Sequence, residues 1–196
     1  GLVKFAVPKS PSSMLAGGTE IASYYLQPNI ASDIWVLKAI AKAILEQGAE
    51  DQPFIHDHTE GFGAFRQDLE TLTWADIEAN TQLSKSDINR VASAYANASN
   101  VVFAWGMGIT HHLSGSNNVE YIANLALLRG MVGKKAAGLL PLRGHSNIQG
   151  VGTIGVKPVL ADDVIRALEA HLSIKLPEAQ GMDTLACLDA ADQGGI

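Results

Sequence analysis

A short apolar run that enters a glycine turn constrains the fold more than any other feature of the sequence. Residues 101 to 105 read Val-Val-Phe-Ala-Trp, and Gly106, Met107 and Gly108 follow them directly. An unbroken apolar run of this length is typical of a strand buried in a parallel sheet. After a polar loop, apolar residues recur with helical spacing from Val119 to Leu127. A strand, a glycine turn and a helix in this order predict half of an alternating α/β unit.

Helical patterns dominate the rest of the chain. Apolar residues share one helix face from Asp33 onward, and Gly48 is a plausible stop. Residues 54 to 82 suit short helices with loops between them, and Ser84 or Ser86 could cap the next helix. A last helix is expected over residues 161 to 172, whereas residues 7 to 18 favour an irregular connector. We therefore predict an α/β fold, a Rossmann-like lobe in which helices flank a mostly parallel sheet.

Glycines recur throughout residues 130 to 157, too often for a regular element, and predict a long, shaped loop. Such loops let backbone N–H groups approach a bulky anionic ligand closely, and a helix N-terminus beyond a glycine turn favours phosphate. Taken alone, the turn at Gly106 is explained better by a tight turn after a core strand than by a ligand site.

Composition excludes several classes of protein. With 196 residues, 47% of them hydrophobic, the chain can bury the core of one domain. Its net charge of -6 includes no long run of one sign, so neither a nucleic-acid partner nor an anionic membrane surface is expected. Cys187 is the single cysteine, which rules out a disulfide or a multi-thiolate cluster within this sequence. No apolar run approaches the ~20 residues of a membrane span.

A longer block, residues 101 to 157, resembles the bis-molybdopterin guanine dinucleotide oxidoreductases, and above all the alpha subunits of formate dehydrogenases. The resemblance rests on ordered segments at residues 108–112, 118–119, 123–128, 130, 133, 137–138 and 141–150. It extends more weakly to Thr19-Glu20, to residues 25–28 before Asp33, and to residues 59–62.

The resemblance implies that residues 1 to 196 form one lobe, an internal fragment of a larger catalytic subunit. The parent protein would hold molybdenum in bis-molybdopterin guanine dinucleotide and oxidise a small substrate. Its electrons would pass to a 4Fe-4S cluster held by sequence outside this chain. The implied partners are a small-molecule substrate, the missing domains of the same subunit and an electron-transfer subunit, in a cytoplasmic protein. The fragment alone should be inactive.

Two residues are the catalytic candidates that the resemblance implies. Arg143 occupies the position of the family's substrate-binding arginine, and its planar guanidinium can bind a small carboxylate bidentately. His145 stands where formate dehydrogenases have glutamine, and an imidazole can accept a proton that an amide cannot. That departure leaves the substrate open.

Other positions match contacts to the cofactor. Thr110 and His111 match a pterin-contacting Thr-Gln pair, again with histidine in place of glutamine. Asp33 matches the acid that recognises guanine, although an N-cap role is equally expected. Asn147 and Gln149 carry amides suited to pterin or phosphate, or equally to bracing a loop. The full predicted set is Asp33, Gly106, Met107, Gly108, Thr110, His111, Gly144, Asn147 and Gln149.

Three alternatives accompany this interpretation. The chain could be an ordinary nucleotide-binding module, although the Gly106 turn is not a G-x-G-x-x-G sequence. It could also be a degenerate, non-catalytic relative of the same fold. A metal site at His56 and His58, or at His111 and His112, lacks the spacing of zinc ligands, so no metal ligand is predicted.

Overall fold

The structure, a computed structural model, describes residues 4–15, 17–156, 159–178 and 181–195, and its fold is mixed α/β. The chain divides into two compact units, Gly1–Gly144 and His145–Ile196. The helices of the first unit are α1 (Pro11–Leu15), α2 (Asp33–Glu46), α3 (Gln52–His58), α4 (Phe62–Thr71), α5 (Trp74–Thr81), α6 (Lys85–Asn97) and α7 (Gly115–Leu128). Its strands are β1 (Lys4–Phe5), β2 (Thr19–Glu20), β3 (Val102–Trp105) and β4 (Gly138–Pro141), with a 3-10 turn at Met107–Ile109. The second unit contains α8 (Ile148–Thr153), α9 (Asp162–Leu172) and α10 (Thr184–Asp192).

Helix α2 is the centre of the first unit and packs against α4, α5, α6 and α7. Its small residues Ala39, Ala41 and Ala43 are fully buried, which allows neighbouring helices to approach closely. The helix ends as the sequence predicts: Gly48 has a positive φ of 60°, and its N–H donates to the Leu45 carbonyl at 3.0 Å. Larger side chains from the surrounding helices and from the segment after α7 complete the core, namely Leu69, Ile77, Ile88, Leu125 and Met131.

Side chains cap the shorter helices of the first unit. Asp51, Thr73 and Ser84 each accept a hydrogen bond from the backbone N–H three residues later, at the start of α3, α5 and α6. Each cap satisfies one of the N–H groups that a helix start leaves without an intrahelical partner. The predicted series of short helices is confirmed, and Ser84 rather than Ser86 caps α6.

The two strands nearest the glycine turn pair in parallel. In the register of β3 and β4, Val102 lies opposite Gly138 and Trp105 opposite Pro141, whereas β1 and β2 pair antiparallel. The predicted strand is thus confirmed, but the prediction that it is buried is wrong, since Val102 is 53% exposed and Ala104 is also exposed. Within the described residues the sheet has only these two strands, so each strand has an outer edge that no further strand covers.

The sequence predictions fail in three other segments. Residues 130 to 157 are not one continuous loop, because they contain β4 and α8. The expected connector at residues 7 to 18 contains the short helix α1, and the helix expected to be the last, over residues 161 to 172, is followed by α10. Helix α9 is confirmed, but like α8 and α10 it has no buried residue among those described.

Across the described part of the chain, every helix is too short or too polar to cross a membrane.

Candidate functional site

Two loops leave the same edge of the parallel strand pair. The first, residues 106 to 112, follows β3, and the second, residues 142 to 144, follows β4. The N–H of Leu142 donates to the Trp105 carbonyl at 2.8 Å, which extends the pairing past the strands. Gly144 lies so close to the first loop that a Cβ atom built on it would be 3.1 Å from Met107 Sδ. The structure therefore brings the predicted residues Gly106, Met107 and Gly108 beside Arg143 and Gly144, and Arg143 is exposed there.

The first loop folds around the carbonyl oxygen of Met107. This oxygen accepts from the N–H groups of Thr110 and His111, at 3.0 and 2.9 Å, and from Thr110 Oγ1 at 3.1 Å. The Thr110 hydroxyl thus braces its own loop. A Cβ atom built on Gly106 or Gly108 would meet no described atom within 4 Å, so a large ligand could approach the backbone of either residue. This open, glycine-lined surface leaves room for a bulky ligand.

Helix α7 packs against this loop through Gly115 and Asn118. A Cβ atom on Gly115 would be 2.2 Å from the Thr110 carbonyl oxygen, so only glycine permits this approach. One turn later, the fully buried Asn118 donates from Nδ2 to the Ile109 carbonyl at 2.9 Å. The same Nδ2 lies 2.7 Å from His112 Nε2. The other amide atom of Asn118, Oδ1, is buried and has no hydrogen-bond partner among the described residues.

Asp33 lies close to this loop, although it precedes His112 by 79 positions in the sequence. Its Oδ2 atom is 3.4 Å from His112 Nε2, and the two side chains are 30% and 17% exposed. Ser32, not Asp33, is the N-cap residue of α2, and its hydroxyl donates to the Asn29 carbonyl at 2.7 Å. The N-cap interpretation of Asp33 is therefore wrong. A carboxylate in the first helical turn is nevertheless favoured by the helix dipole.

The sequence predictions missed His112, which contacts both Asp33 and Asn118. The only sequence feature that singled it out was its adjacency to His111, and that pair suggested a metal rather than a hydrogen-bond network. His111 itself is exposed. No group of three or more His, Cys, Asp or Glu side chains in the described ranges could hold a metal ion.

The remaining predicted residues belong to the second unit, whose boundary falls between Gly144 and His145. His145 is exposed. Asn147 precedes α8 in the left-handed region with φ 56°, and a Cβ atom on Gly150 would be 2.3 Å from Asn147 Oδ1. Asn147 therefore contacts the backbone of its own helix start. Gln149 has an exposed side chain, and its carbonyl accepts from Thr153 Oγ1 at 2.8 Å.

A cleft of about 660 Å³ lies away from these loops. It is lined by residues that precede β3 and β4, including Ser99, Arg129 and Lys134, whereas the predicted site residues follow those strands. The Arg129 guanidinium donates to the carbonyls of Ala49 and Ala98 and so ties three chain segments together. The cleft is a second surface feature and does not contain the predicted residues.

Comparison with known proteins gives relatives along almost the whole chain. The chain is 35% identical to Protein YdeP of Escherichia coli over 99% of its own length and 27% of that protein. It is 29% identical to an "Uncharacterized oxidoreductase" of Mycobacterium tuberculosis over its full length and 26% of that protein. A "Putative formate dehydrogenase" of Staphylococcus aureus is 32% identical over 90% of this chain and 19% of that protein. The chain therefore spans about a quarter or less of the length of these relatives. No family model matches it.

A solved structure shares the fold. Acetylene hydratase from Pelobacter acetylenicus superposes on 65% of this chain, and on 17% of its own, with a TM-score of 0.56 and 13% sequence identity. At that identity the likeness is one of fold alone.

Proposed function

We propose that this chain is an internal part of the catalytic subunit of a molybdenum-dependent oxidoreductase of the formate dehydrogenase type. The proposal depends on one observation: Gly144 lies against Met107, so the segment that carries Arg143 shares an edge of the parallel strands with the glycine turn. Ligands of α/β sheets bind at the carboxyl ends of the strands. The names of the relatives support a general oxidoreductase role and agree with the resemblance of residues 101 to 157.

The residues near this edge suit the bis-molybdopterin guanine dinucleotide cofactor. In the proposal, the open backbone at Gly106 and Gly108 holds the pterin region together with Met107 and His111, and the partly exposed Asp33 carboxylate accepts from two N–H groups of guanine. As the resemblance implies, Thr110 and Gly144 of the first unit and Asn147 and Gln149 of the second unit are proposed, each by itself, as further contacts to the cofactor. When bound, the cofactor supplies the redox chemistry by accepting two electrons.

The chain itself would supply positioning and proton transfer. The exposed guanidinium of Arg143 can bind a small carboxylate through two parallel N–H groups and so orient it. His145, two residues later, can accept the proton that oxidation releases. The structure supports these roles through the exposure of Arg143, which lies beside the glycine turn. His145 is assigned its role because it follows Arg143 in the sequence and is itself exposed.

The larger protein completes the proposed assembly. The relatives are about four times as long as this chain, which supports a lobe whose sheet is extended by strands from elsewhere in the parent polypeptide. We propose that the whole is a Rossmann-like lobe with a mostly parallel sheet. A 4Fe-4S cluster from other parts of the subunit, an electron-transfer subunit, a small-molecule substrate and a cytoplasmic location belong to the same proposal.

Analysis of the complete parent protein tests this function. Purified protein is expected to contain molybdenum and to release guanine nucleotide and pterin on denaturation. It should also reduce an artificial electron acceptor when a small carboxylate such as formate is supplied. Protein that carries neither molybdenum nor pterin, although it is produced in a host that makes the cofactor, would exclude the proposal.

A non-catalytic relative of the same fold is the second candidate. The observation that favours it is the replacement of two family glutamines by His111 and His145. The complete gene separates the candidates, because an upstream cysteine cluster and a metal-ligating residue are expected only for the enzyme. A non-catalytic or nucleotide-binding protein would lack both.

A further inference from the structure

We infer that His112 is a positioning residue for Asp33 and connects that carboxylate to the loop of residues 106 to 112. The inference deepens the proposed function, because it rests on Asp33 as the acceptor for guanine. What it adds is a reason for the carboxylate to keep one orientation, which a bidentate contact requires.

The contacts form a chain from helix α7 to helix α2. Asn118 is fully buried and donates to the Ile109 carbonyl at 2.9 Å, so the loop backbone fixes its Nδ2 group. Nδ2 is also 2.7 Å from His112 Nε2, and the same ring nitrogen is 3.4 Å from Asp33 Oδ2. A shift of the loop therefore moves the imidazole, and the imidazole contacts the carboxylate.

Hydrogen-bond chemistry makes His112 sensitive to what Asp33 binds. The Ile109 carbonyl can only accept, which keeps the N–H₂ side of the Asn118 amide toward His112. Nε2 can then accept from Asn118, or it can carry a proton and donate to Asp33, but it cannot do both. Guanine would satisfy the carboxylate with its own N–H groups, so Nε2 would accept from Asn118, and the imidazole held in this way would restrict the Asp33 carboxylate by packing against it.

Two nucleotides that differ by one donor group test the inference. Guanine presents an N1–H and a 2-amino group to a carboxylate, whereas hypoxanthine lacks the amino group. Dissociation constants of GDP and IDP would be measured for the 196-residue chain and for His112→Ala, His112→Gln and Asp33→Asn. His56→Ala is the control, because the His56 side chain is 88% exposed and lies on α3. Circular dichroism confirms that each variant is folded.

The wild-type chain is expected to prefer GDP over IDP by about tenfold, the value of one hydrogen bond to a charged group. The preference should fall to about twofold in His112→Ala, recover in part in His112→Gln, which can accept from Asn118 through Oε1, and stay unchanged in His56→Ala. If His112→Ala cannot be purified folded, His112→Leu takes its place, because leucine has neither a donor nor an acceptor for Asn118, and a wild-type preference for GDP in that variant overturns the inference.

Failure of the inference differs from failure of the proposed function. If the wild-type chain binds GDP no better than IDP, or if Asp33→Asn leaves GDP binding unchanged, the assignment of Asp33 as the acceptor for guanine is wrong, and the role of His112 is excluded with it. If Asp33→Asn abolishes the preference but His112→Ala keeps it, only the positioning role is excluded. Equal weakening of GDP and IDP by His112→Ala also excludes that role, since it indicates general damage to the site.

Discussion

The first residue of α7, Gly115, packs directly against the carbonyl oxygen of Thr110, where a Cβ atom would be 2.2 Å from that oxygen. Backbone contacts this close cannot be relieved by rotating a side chain. Gly115→Ala should therefore displace the loop or the helix start and lower the free energy of unfolding by about 1 to 3 kcal/mol, as overpacking does. Urea denaturation followed by circular dichroism measures the loss.

Gly63 provides the control for this substitution. It lies in α4, and a Cβ atom there would meet no described atom within 4 Å. Gly63→Ala should be neutral or raise the free energy of unfolding by up to about 1 kcal/mol, because alanine loses less backbone entropy in a helix. Equal stability of Gly115→Ala and the wild type would show that the contact with Thr110 is not close in solution.

Removal of the Asn118 amide should also destabilise the chain. Asn118→Ala leaves the Ile109 carbonyl and the His112 ring without their donor, at a cost of about 1 to 3 kcal/mol for buried polar groups. Its neighbour Asn117 is exposed on the same helix, so Asn117→Ala should change the unfolding midpoint little. If the two variants unfold at the same denaturant concentration, the network does not contribute to stability.

A pH effect is expected at Asp68. Hydrogen bonds from Lys38 Nζ (2.8 Å) and the Tyr121 hydroxyl (2.5 Å) hold the pKa of the Asp68 carboxyl below its ordinary value. The unfolded chain therefore takes up this proton first as pH falls. The stabilisation is complete above the ordinary aspartate pKa, about 4, and is lost as pH drops through the lower folded value.

Asp68→Asn should accordingly be less stable than the wild type at pH 7, and the difference should shrink below about pH 4. Because the Asp68 side chain is 45% exposed, the difference at pH 7 should stay below about 1 kcal/mol. Tyr121→Phe removes one of the two donors and should show a smaller effect of the same sign. Urea midpoints from pH 7 to pH 2 measure it, and a difference independent of pH would contradict the assignment.

Arg143 is tested in the complete parent protein. Arg143→Ala should lower turnover at least about a hundredfold, the usual consequence of a misplaced substrate, while the molybdenum content stays near normal. Arg143→Lys should recover little, since an ammonium group cannot make the paired contact. The matched control is Arg66→Ala, on the surface of α4 beside Glu70. Unchanged steady-state kinetics of Arg143→Ala would remove this residue from the active site.

The sequence predicted the helices well because the residues that specify a helix lie within it or directly beside it. The apolar face that begins at Asp33 and the cap at Ser84 lie within a few residues of the helices they specify. The strand β4 was missed because its structure depends on β3, more than thirty residues earlier, and because its first residue, Gly138, suggested a loop. Exposure of β3 was mispredicted for a similar reason: an apolar run does not reveal how many strands or helices cover it.

In the candidate site, too, some features were predictable from local sequence and others depend on distant contacts. The sequence motif placed Gly106 to Gly108 and Arg143 in one functional block, and the parallel register of β3 and β4 explains why the two segments meet. The contact between Asp33 and His112 could not be predicted, because it joins two helices through a loop and no local pattern relates the two positions. Asn118, which organises that contact, looks in sequence like any polar residue of an amphipathic helix.

The exposed parallel pair has a practical consequence for handling the molecule. Val102, Leu139 and Leu140 present 53%, 40% and 49% of their surfaces to water. Apolar strands open to solvent favour addition of strands from neighbouring molecules. Concentrated samples of the isolated chain should therefore form β-rich aggregates that begin at this sheet, and a charged side chain introduced at Val102 should improve solubility without disturbing the helical core.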